Sequence, residues 1–410
     1  MKGPSLRDAG RACLFSFEHN FMIQKIFFFL ILMILLPDVY IYFVYIRKWT
    51  KKACFRLTFF IPSILLLGGL FYLAFMATGK FVSANSQLIG WVTMAYLIVV
   101  IPKLIFSLVS LLDLPLKYLL RKPRQPFKYI GMAGALASIG IIAYGATAGK
   151  TAFIVNEVPV YASNIPAAFD NYRILQFSDV HIGSWKGNEK ALGEAVEMIN
   201  GLNADVTVFT GDLVNSRTDE LDGFERILAG ISGKDGVYSI LGNHDYGTYY
   251  QWDSPEELTA NFEELKMREK RMGWRMLNNE HVMLYRGNDS IALIGVENDG
   301  EPPFSQNGDL KKAMQGADAP FKVLLSHNPT HWRREVLSTD IDLMLAGHTH
   351  AMQMAWGHHS PASFKYPEWG GMYKEGHQML YVNIGLGFIG LPMRIGARPE
   401  ITVFTLHPEP

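Results

Sequence analysis

Four long apolar stretches occupy the first 150 residues, and short apolar runs alternate with amphipathic segments over the rest of the chain. The stretches cover residues 26–46, 57–77, 88–114 and 129–147. Each has about the 20 apolar residues that a helix needs to cross a bilayer core. Buried core helices are the alternative interpretation, but four such lengths separated by basic segments favour membrane spans. A cleaved signal peptide would account for only one of them.

Basic residues in the connecting loops predict the orientation of these spans. Five lie between the first and second spans and five between the third and fourth, whereas only one, Lys80, lies between the second and third. The two basic groups are Arg47, Lys48, Lys51, Lys52 and Arg56, and then Lys117, Arg121, Lys122, Arg124 and Lys128. Positive loops stay in the cytoplasm, so both chain ends are predicted outside it. The basic residues of the N-terminal tail argue against this orientation.

Two charged residues lie inside the predicted spans, each close to a proline. Asp38 follows Pro37, and Lys103 follows Pro102. Ionisable residues within a membrane often have a function. Local pairing, or exposure at the membrane interface, is the alternative, and the sequence leaves both open.

From about residue 170 the pattern becomes that of a layered α/β fold. Strands are predicted at 173–178, 205–210, 236–241, 282–285, 291–296, 321–326, 342–346, 379–383 and 401–406, and helices at 189–202, 224–231 and 255–271. The chain is therefore predicted as an N-terminal tail (1–25), four transmembrane helices (26–150), a linker (151–171) and an α/β domain (172–410).

Composition and charge agree with this division. Hydrophobic residues make up 49% of the 410 residues and charged residues 19%, and the 37 Gly and 20 Pro are near average. This composition excludes collagen-like, low-complexity and wholly disordered chains. Residues 1–150 hold 17 basic and four acidic side chains, and the remainder holds 21 basic and 34 acidic ones. Nucleic acid is therefore not an expected partner, because the acidic part would repel a phosphate backbone.

Metal-binding residue types follow five of the predicted strands. The motifs are Ser-Asp-Val-His at 178–181, Gly-Asp at 211–212, Gly-Asn-His-Asp at 242–245, Ser-His-Asn at 326–328 and Gly-His-Thr-His at 347–350. Active sites of α/β sheets gather at the carboxyl ends of strands. Carboxylate, imidazole and amide ligands together suit Mn, Fe or Zn, and the set is large enough for two divalent ions that share a carboxylate.

This series resembles the calcineurin-like metallophosphoesterase superfamily, whose pattern is DxH, GD, GNHD, H and GHxH. The resemblance spans residues 172–350. It implies two mixed β-sheets flanked by helices and a two-metal phosphoester hydrolase. It also implies the role of each site residue: Asp179, His181 and His350 hold one metal, Asn243, His327 and His348 hold the second, Asp212 bridges them, His244 contacts the phosphate and protonates the leaving group, and Asp245 orients His244.

Subfamily features narrow the resemblance. Asn215 occupies the position where purple acid phosphatases have a tyrosine ligand, and GNHD replaces the GNHE of Ser/Thr protein phosphatases. The segments 381–387, 391–394 and 398–401 resemble bacterial membrane-associated phosphodiesterases of the cell envelope. One departure is that Ala351, Met352 and Gln353 follow the last histidine motif, where these relatives usually have Gly-Gly-Gln. We expect this change to reshape the pocket wall.

Three further features have two interpretations each. The loop 357–376, with His358 and His359, could line the substrate site or be an ordinary surface loop. Trp185 could face a lipid or leaving group, or pack in the core. Arg394 could contact an anionic substrate or form an ion pair.

The sequence therefore predicts an integral, multi-pass protein of the inner or plasma membrane. Its expected function is a metal-dependent phosphodiesterase that acts outside the cytoplasm on a lipid or lipid-linked phosphate. One alternative is a cytoplasm-facing pyrophosphatase of a nucleotide-linked lipid precursor. Another is a metal-binding sensor or scaffold without turnover. The oligomeric state stays open.

Overall fold

The computed structural model describes residues 25–76, 81, 84–119 and 125–409. The tail 1–24 and the loop residues Lys80, Arg121, Lys122 and Arg124 lie outside the described residues. The chain divides into two compact units. The first comprises residues 1–77 and 91–143, and the second comprises residues 78–90 and 144–410. Each unit is described by itself.

Four helices of the described N-terminal part are long and apolar enough to cross a membrane, as predicted. They are α1 (Lys25–Trp49), α2 (Ala53–Met76), α3 (Gln87–Leu116) and α4 (Pro126–Thr151). Proline suits the first position of α4 because no helical partner is lost there. Asp113 caps this helix, since its carboxylate accepts hydrogen bonds from the backbone N–H of Phe127 and Lys128 at 3.1 and 2.8 Å.

The two charged residues of the spans pair with each other. Lys103 Nζ on α3 lies 2.7 Å from Asp38 Oδ1 on α1 and donates to Ser63 Oγ on α2, also at 2.7 Å. Asp38 is 2% exposed. An unpaired charge inside a membrane span is costly, so the pair compensates both charges and links three helices. The structure therefore agrees with local pairing of Asp38 and Lys103, one of the alternatives that the sequence left open.

We expect Lys103→Met to lower the free energy of unfolding by about 3 kcal/mol, because Asp38 is then left buried without its cation. The double variant Asp38→Asn/Lys103→Met should recover most of that loss. Chemical unfolding of the full chain in mixed micelles measures both, with Lys48→Met, at an exposed position, as control. A single variant as stable as the parent would contradict the role of the pair.

The second unit contains two six-stranded sheets. The first has the order β1-β12-β2-β3-β4-β5, and the second has the order β10-β11-β9-β8-β7-β6. The strands are β1 (Ile154–Ala162), β2 (Arg173–Phe177), β3 (Val206–Phe209), β4 (Val237–Ser239), β5 (Trp274–Met276), β6 (Glu280–Arg286), β7 (Asp289–Gly295), β8 (Phe321–Leu325), β9 (Leu343–Ala346), β10 (Gly371–Glu375), β11 (Gln378–Val382) and β12 (Glu400–Pro408).

Both sheets are mixed. Strands β2 to β5 are parallel, β12 runs antiparallel to β2, and β1 is parallel to β12. In the second sheet β11, β9, β8 and β7 are parallel, and β10 and β6 pair antiparallel at its two edges. The parallel strands bring their carboxyl ends to one edge of each sheet, which positions the loops described below.

The sheets pack face to face between two helical layers, as predicted. Side chains of both sheets, among them Val208 and Leu293, form one buried cluster between them. Helices α5 (Glu189–Gly201), α6 (Glu225–Leu228) and α7 (Pro255–Arg271) cover the outer face of the first sheet. Helices α8 (Leu310–Met314) and α9 (Thr330–Arg334) cover the second.

The segment 151–171 was predicted as a linker, but it contains β1. This strand pairs with β12 along nine residues, from Ile154 opposite Glu400 to Ala162 opposite Pro408. The prediction missed it because Asn156, Glu157 and Pro159 interrupt the apolar run, and an edge strand tolerates such residues. The first sheet therefore begins directly after α4.

A buried carboxyl group lies between α7 and β4. Glu269 is fully buried, and Ser239 Oγ donates to its Oε2 at 2.5 Å. Burial, reinforced by the charge of Asp245, raises the pKa of Glu269 to about 8. The folded state therefore holds a proton on this carboxyl group that the unfolded chain releases at lower pH.

The contribution of Glu269 to the free energy of unfolding is fully present below the pKa that this carboxyl group has in the unfolded chain, and it is lost as pH rises through about 8. We expect Glu269→Gln to remove this loss and to be more stable than the parent by on the order of 3 kcal/mol at about pH 9. Unfolding curves between mildly acidic and alkaline pH test it, with the exposed Glu256→Gln as control. Parallel pH profiles for the parent and Glu269→Gln would refute the expectation.

Candidate metal centre

The carboxyl ends of β2, β3, β4, β8 and β9 converge, and they bring together the side chains that the sequence predicted as ligands. Three overlapping groups each have ligand atoms within 4.8 Å of one another. They are Asp179, His181 and His350; His181, Asp212 and His244; and Asp212, His327 and His348.

The first predicted ligand set is almost completely buried. His350 Nε2 lies 3.1 Å from Asp179 Oδ1 and 3.0 Å from His181 Nε2. The ring nitrogens therefore face one another and the carboxylate. His181 Nδ1, on the far side of the ring, has no hydrogen-bond partner among the described residues. Two imidazoles and a carboxylate turned toward one point form a donor set that suits a divalent transition metal.

The second predicted set lies on the other side of Asp212. His348 Nδ1 is 2.8 Å from Asn243 Oδ1 and 3.3 Å from His327 Nε2. His327 Nδ1 donates to the carbonyl oxygen of Thr210 at 2.7 Å, which leaves its Nε2 free to face the centre. Such a bond fixes the tautomer and the ring orientation of a metal-binding histidine.

Asp212 is shared by the two sides. Its Oδ2 lies 3.2 Å from His327 Nε2 and 3.6 Å from His181 Nε2. Its Oδ1 accepts a hydrogen bond from the backbone N–H of His244 at 2.8 Å. Two ligand groups that meet at one carboxylate are the arrangement expected for a two-metal centre.

The electrostatics favour the ionised form of both carboxylates. Burial opposes ionisation of Asp212, but His327 and His244 outweigh it and hold the pKa of this carboxyl well below its usual range. Burial likewise opposes ionisation of Asp179, and His350 reverses the effect, so its pKa is also lowered. Burial and the nearby His327 lower the pKa of His348 to about 3. Anionic carboxylates and a neutral imidazole are the forms that bind metal ions.

Several predicted ligands have a left-handed backbone. The φ angles are 52° at Asp179, 46° at His181, 61° at Asp212, 77° at His348 and 51° at His350. This conformation costs a non-glycine residue of order 1 kcal/mol or more, and it persists only where the surrounding structure enforces it. Its concentration at these positions supports a functional role for the cluster.

His244 lies at the edge of the cluster and is held from two directions. Its Nδ1 donates to the carbonyl oxygen of Asn215 at 2.6 Å, and its ring stacks on Tyr249 with centroids 4.2 Å apart. With Nδ1 engaged, Nε2 is the atom available to a ligand. Asn215, which was considered only as the position of an absent tyrosine ligand, thus orients His244 through its backbone.

Asp245 has partners other than the one expected. We expected it to orient His244, but its carboxylate accepts hydrogen bonds from the backbone N–H of Gly242, Asp212, Leu213 and Val214. These bonds are 2.8 to 3.2 Å long. The reason is geometric, because the loops after β3 and β4 both turn their N–H groups toward Asp245. Burial and the charge of Asp212 raise the pKa of Asp245 to about 7.

Three aromatic residues that the sequence did not identify contact the predicted ligands. The Tyr249 hydroxyl accepts from Asn243 Nδ2 at 2.8 Å, and the Tyr366 hydroxyl lies 2.9 Å from His348 Nε2. The Phe304 ring meets the His348 ring edge to face at 4.6 Å. None of the three belongs to a motif, and the one signal was the position of Tyr366 within the loop 357–376.

The structure shows where the other residues with two interpretations lie. Tyr366 brings the loop 357–376 to the site, whereas His358 and His359 are exposed. Trp185 is 1% exposed and donates to the carbonyl oxygen of Val180 at 2.7 Å, so it packs in the core. Arg394 is buried and donates to the carbonyl oxygens of Ile384, Gly385, Gly387 and Ala397. It therefore braces the segment that follows β11 and forms no ion pair with any residue that the structure describes.

The departure from Gly-Gly-Gln falls on a strained turn. The φ angles of Ala351, Met352 and Gln353 are 51°, 45° and 60°, a conformation in which glycine has no steric penalty. Gln353 Nε2 donates to the carbonyl oxygens of Leu391 and Met393, and its Oε1 accepts from the backbone N–H of Ile389. These bonds hold the turn against the segment that follows β11.

Two family models match this chain. The family described as "Calcineurin-like phosphoesterase" matches residues 172–352, and the one described as "Probable Calcineurin-like phosphoesterase, transmembrane domain" matches residues 23–150. The metallophosphoesterase YkuE of Bacillus subtilis (strain 168) is 32% identical over 298 residues, which cover 67% of this chain and 95% of YkuE. The chain belongs to the calcineurin-like phosphoesterase family. The resemblance inferred from the motifs is thereby confirmed.

Two further members of this family show how far the similarity extends. A "Transmembrane protein with metallophosphoesterase domain" of Danio rerio is 34% identical over 261 residues, or 61% of this chain. This chain spans 56% of the length of that relative. The metallophosphoesterase Cj0846 of Campylobacter jejuni is 26% identical over an alignment of 416 positions, which covers 94% of this chain and 99% of Cj0846. The chain is thus an integral membrane member of the family.

We expect Asp212→Asn to impair metal binding on both sides of the cluster, because it removes the carboxylate that they share. After loading with Mn²⁺ and desalting, the full chain should retain about two ions per molecule and the variant roughly one or fewer. Elemental analysis by mass spectrometry gives the stoichiometry. The exposed Asp318→Asn serves as the matched control. Equal metal content in the parent and Asp212→Asn would show that Asp212 is not a shared ligand.

Proposed function

We propose that this protein is a membrane-anchored, two-metal phosphodiesterase that acts outside the cytoplasm on a lipid or lipid-linked phosphate. The observation that carries the proposal is the pair of ligand groups that share Asp212, with His244 beside them. The ligand types suit Mn, Fe or Zn. When bound, two such ions bind the phosphoryl group and make a water molecule nucleophilic at neutral pH.

The ligand roles follow from the two sides of the cluster. Asp179, His181 and His350 would hold one ion, and Asn243, His327 and His348 the other, with Asp212 bound to both. The chain keeps these groups in place before substrate arrives. Thr210 orients His327, and Tyr366 orients His348. A site whose ligands are fixed in advance loses little free energy to reorganisation during the reaction.

His244 is the proposed acid for the leaving group. The carbonyl oxygen of Asn215 occupies Nδ1, so the protonated ring would donate from Nε2 to the departing ester oxygen. Stacking on Tyr249 holds the ring plane. A metal sensor without turnover has no need of a histidine fixed in this way, so this geometry supports hydrolysis over the sensor alternative.

The surroundings of the site support an ester with a large apolar group. Tyr249, Tyr366 and Phe304 border the predicted ligands with aromatic surface. Lys365 Nζ lies 5.1 Å from the centre of the Phe304 ring, which places one cation next to this wall. A phosphodiester carries a single negative charge and two substituents, and a lipid phosphodiester supplies the apolar surface that such a wall can cover.

The charge of the connecting loops supports the side of the membrane. The basic residues between the first and second predicted spans, and those between the third and fourth, lie in the segments expected in the cytoplasm. The domain after α4 then lies on the opposite side. A cytoplasmic domain, as in the alternative pyrophosphatase, would require both basic loops to cross the membrane.

Hydrolysis by the purified full chain with Mn²⁺ tests the proposal. The substrates are an aryl phosphomonoester, an aryl phosphodiester, a phospholipid and a lipid pyrophosphate. We expect turnover of both diesters, the aryl phosphodiester and the phospholipid. His244→Ala should slow hydrolysis of the phospholipid, whose leaving group is an alkyl alcohol, by about a thousandfold. The loss should be much smaller for an aryl diester, whose leaving group departs without protonation.

Two controls separate catalysis from folding. Metal content should be unchanged in His244→Ala, and the exposed His377→Ala should retain full activity. Equal losses on alkyl and aryl esters would contradict the role of His244 as the acid. Preference for the pyrophosphate would favour the second enzyme, and no turnover by a fully metal-loaded protein would favour the sensor.

A further inference from the structure

A loop next to the metal centre exposes large apolar side chains. It comprises residues 354–365 and is called the aromatic loop here. Trp356 is 85% exposed and Phe364 is 94% exposed, and Met354 at its start is 36% exposed. Full exposure of two such rings is unfavourable in water, since burial of one stabilises a protein by roughly 1.5–3 kcal/mol. The exposure therefore calls for a partner.

Hydrogen bonds hold the backbone of the aromatic loop. Trp356 and His359 exchange two backbone hydrogen bonds of 2.8 and 3.1 Å, with Gly357 in the left-handed turn between them. Ser360 Oγ donates to the carbonyl oxygen of Ala351 at 2.6 Å. The exposed rings are thus held outward by a fixed scaffold, which lowers the cost of ordering them in a complex.

The loop is joined to a segment that touches the ends of two apolar helices. Ala355 N–H donates to the carbonyl oxygen of Ile395 at 2.9 Å. Arg394, which precedes Ile395, donates its backbone N–H to the carbonyl oxygen of Gly145 on α4 at 3.1 Å. A Cβ atom on Gly149 would lie 2.3 Å from the carbonyl oxygen of Arg394, so only glycine permits this approach.

The beginning of α3 reaches the same segment. A Cβ atom on Gly90 would lie 3.0 Å from the carbonyl oxygen of Gly390 and 3.2 Å from Pro392. Gly90, Gly145 and Gly149 all belong to the compact unit that holds the metal centre. The start of α3 and the end of α4 lie on the same side of a bilayer, because these consecutive spans run in opposite directions. If both helices span the bilayer, the segment 388–396 lies at its surface.

The charge pattern matches such a surface. Residues 151–410 hold 34 acidic side chains, yet none lies between Asp342 and Glu368 or between Glu375 and Glu400. These two acid-free segments contain the aromatic loop and the segment 388–396. Lys365 and Arg398 lie within them. Anionic headgroups repel acidic surface and attract basic residues, so this face can approach a bilayer that the rest of the domain would avoid.

We propose that the aromatic loop contacts the bilayer that the chain itself spans, with Trp356 and Phe364 at the boundary between headgroups and acyl chains and Lys365 among the headgroups. Tryptophan is favoured at this depth because its ring is amphipathic. Tyr366 follows directly and reaches His348, so the contact would position the metal centre at the level of lipid phosphates. The inference rests on the membrane anchor and goes beyond the proposed hydrolysis.

Lipid-dependent quenching tests the contact without any need for activity. In the full chain with Cys13 and Cys54 replaced by Ser, a single cysteine at position 356 or 364 carries a polarity-sensitive dye. The protein is placed in nanodiscs of phosphatidylcholine and phosphatidylglycerol with nitroxide-labelled lipids. The matched control is position 267 on α7, where Met267 is 52% exposed. We expect strong quenching at 356 and 364 and little at 267.

Three results would overturn the proposal. Quenching at 356 no stronger than at 267 would show that the loop faces water. A dye signal that changes with the number of chains per disc, but not with nitroxide, would identify a second copy of the chain as the occupant. Quenching strongest from nitroxides at the bilayer centre would indicate a span and not an interfacial contact.

A kinetic measurement adds the functional consequence. We expect Trp356→Ala/Phe364→Ala to raise the KM for a diester presented in vesicles about tenfold, since a lost contact of about 1.4 kcal/mol has that effect. Turnover of a soluble aryl diester should stay unchanged, and the exposed Tyr285→Ala should alter neither. An equal loss on both substrates would contradict the loop's role. No turnover by any protein would count against the proposed function and leave the quenching result to decide the contact.

Discussion

The carboxylate of Asp245 is the constraint on which the cluster of predicted metal ligands depends. It gathers the backbone N–H groups of Gly242, Asp212, Leu213 and Val214, and so ties the loop after β3 to the loop after β4. Glycine is needed where the loops meet, since a Cβ atom on Gly242 would lie 2.2 Å from Asp212 Oδ1. Because both ligand groups share Asp212, a change in this junction would displace both at once. An acid with no direct contact to a ligand side chain thus controls the geometry of the cluster.

The sequence predicted the fold and the site wherever local pattern and chemistry coincided. Strong apolar runs marked the parallel strands, and motifs such as Gly-Asn-His-Asp marked their ends. Because the carboxyl ends of parallel strands meet at one edge of a sheet, the predicted ligands were expected to converge there. The prediction failed where pattern was weak. Polar residues interrupt β1, and β5 has three residues, from Trp274 to Met276, which is too short to show alternation. Both are edge strands, in which burial constrains the residue types less than strand pairing does.

The parts of the site that sequence could not predict are those supplied by backbone and by distant loops. The carbonyl oxygens of Asn215 and Thr210 orient two histidines, and a carbonyl group has no sequence signature. Tyr249 and Tyr366 reach their partners through loops whose paths depend on tertiary packing. The role of Asp245 was misassigned for a related reason, because proximity in sequence to His244 suggested a contact that the turn does not make. Motifs identify the reactive side chains, whereas the groups that orient these side chains are brought to them by the fold.

Strain connects the predicted ligands to the segment that follows β11. The left-handed conformation continues without a break from His350 through Gln353, at a cost that glycine at 351 and 352 would avoid. Such a turn persists only if its surroundings determine it. Here Gln353 bonds to the segment that follows β11, and Arg394 Nη2 of that segment lies 3.1 Å from His350 Nδ1. That segment in turn touches Gly145 of α4. The predicted ligand His350, the turn and the segment that follows β11 therefore form one connected path, so the position of this side chain depends on the contacts of that segment.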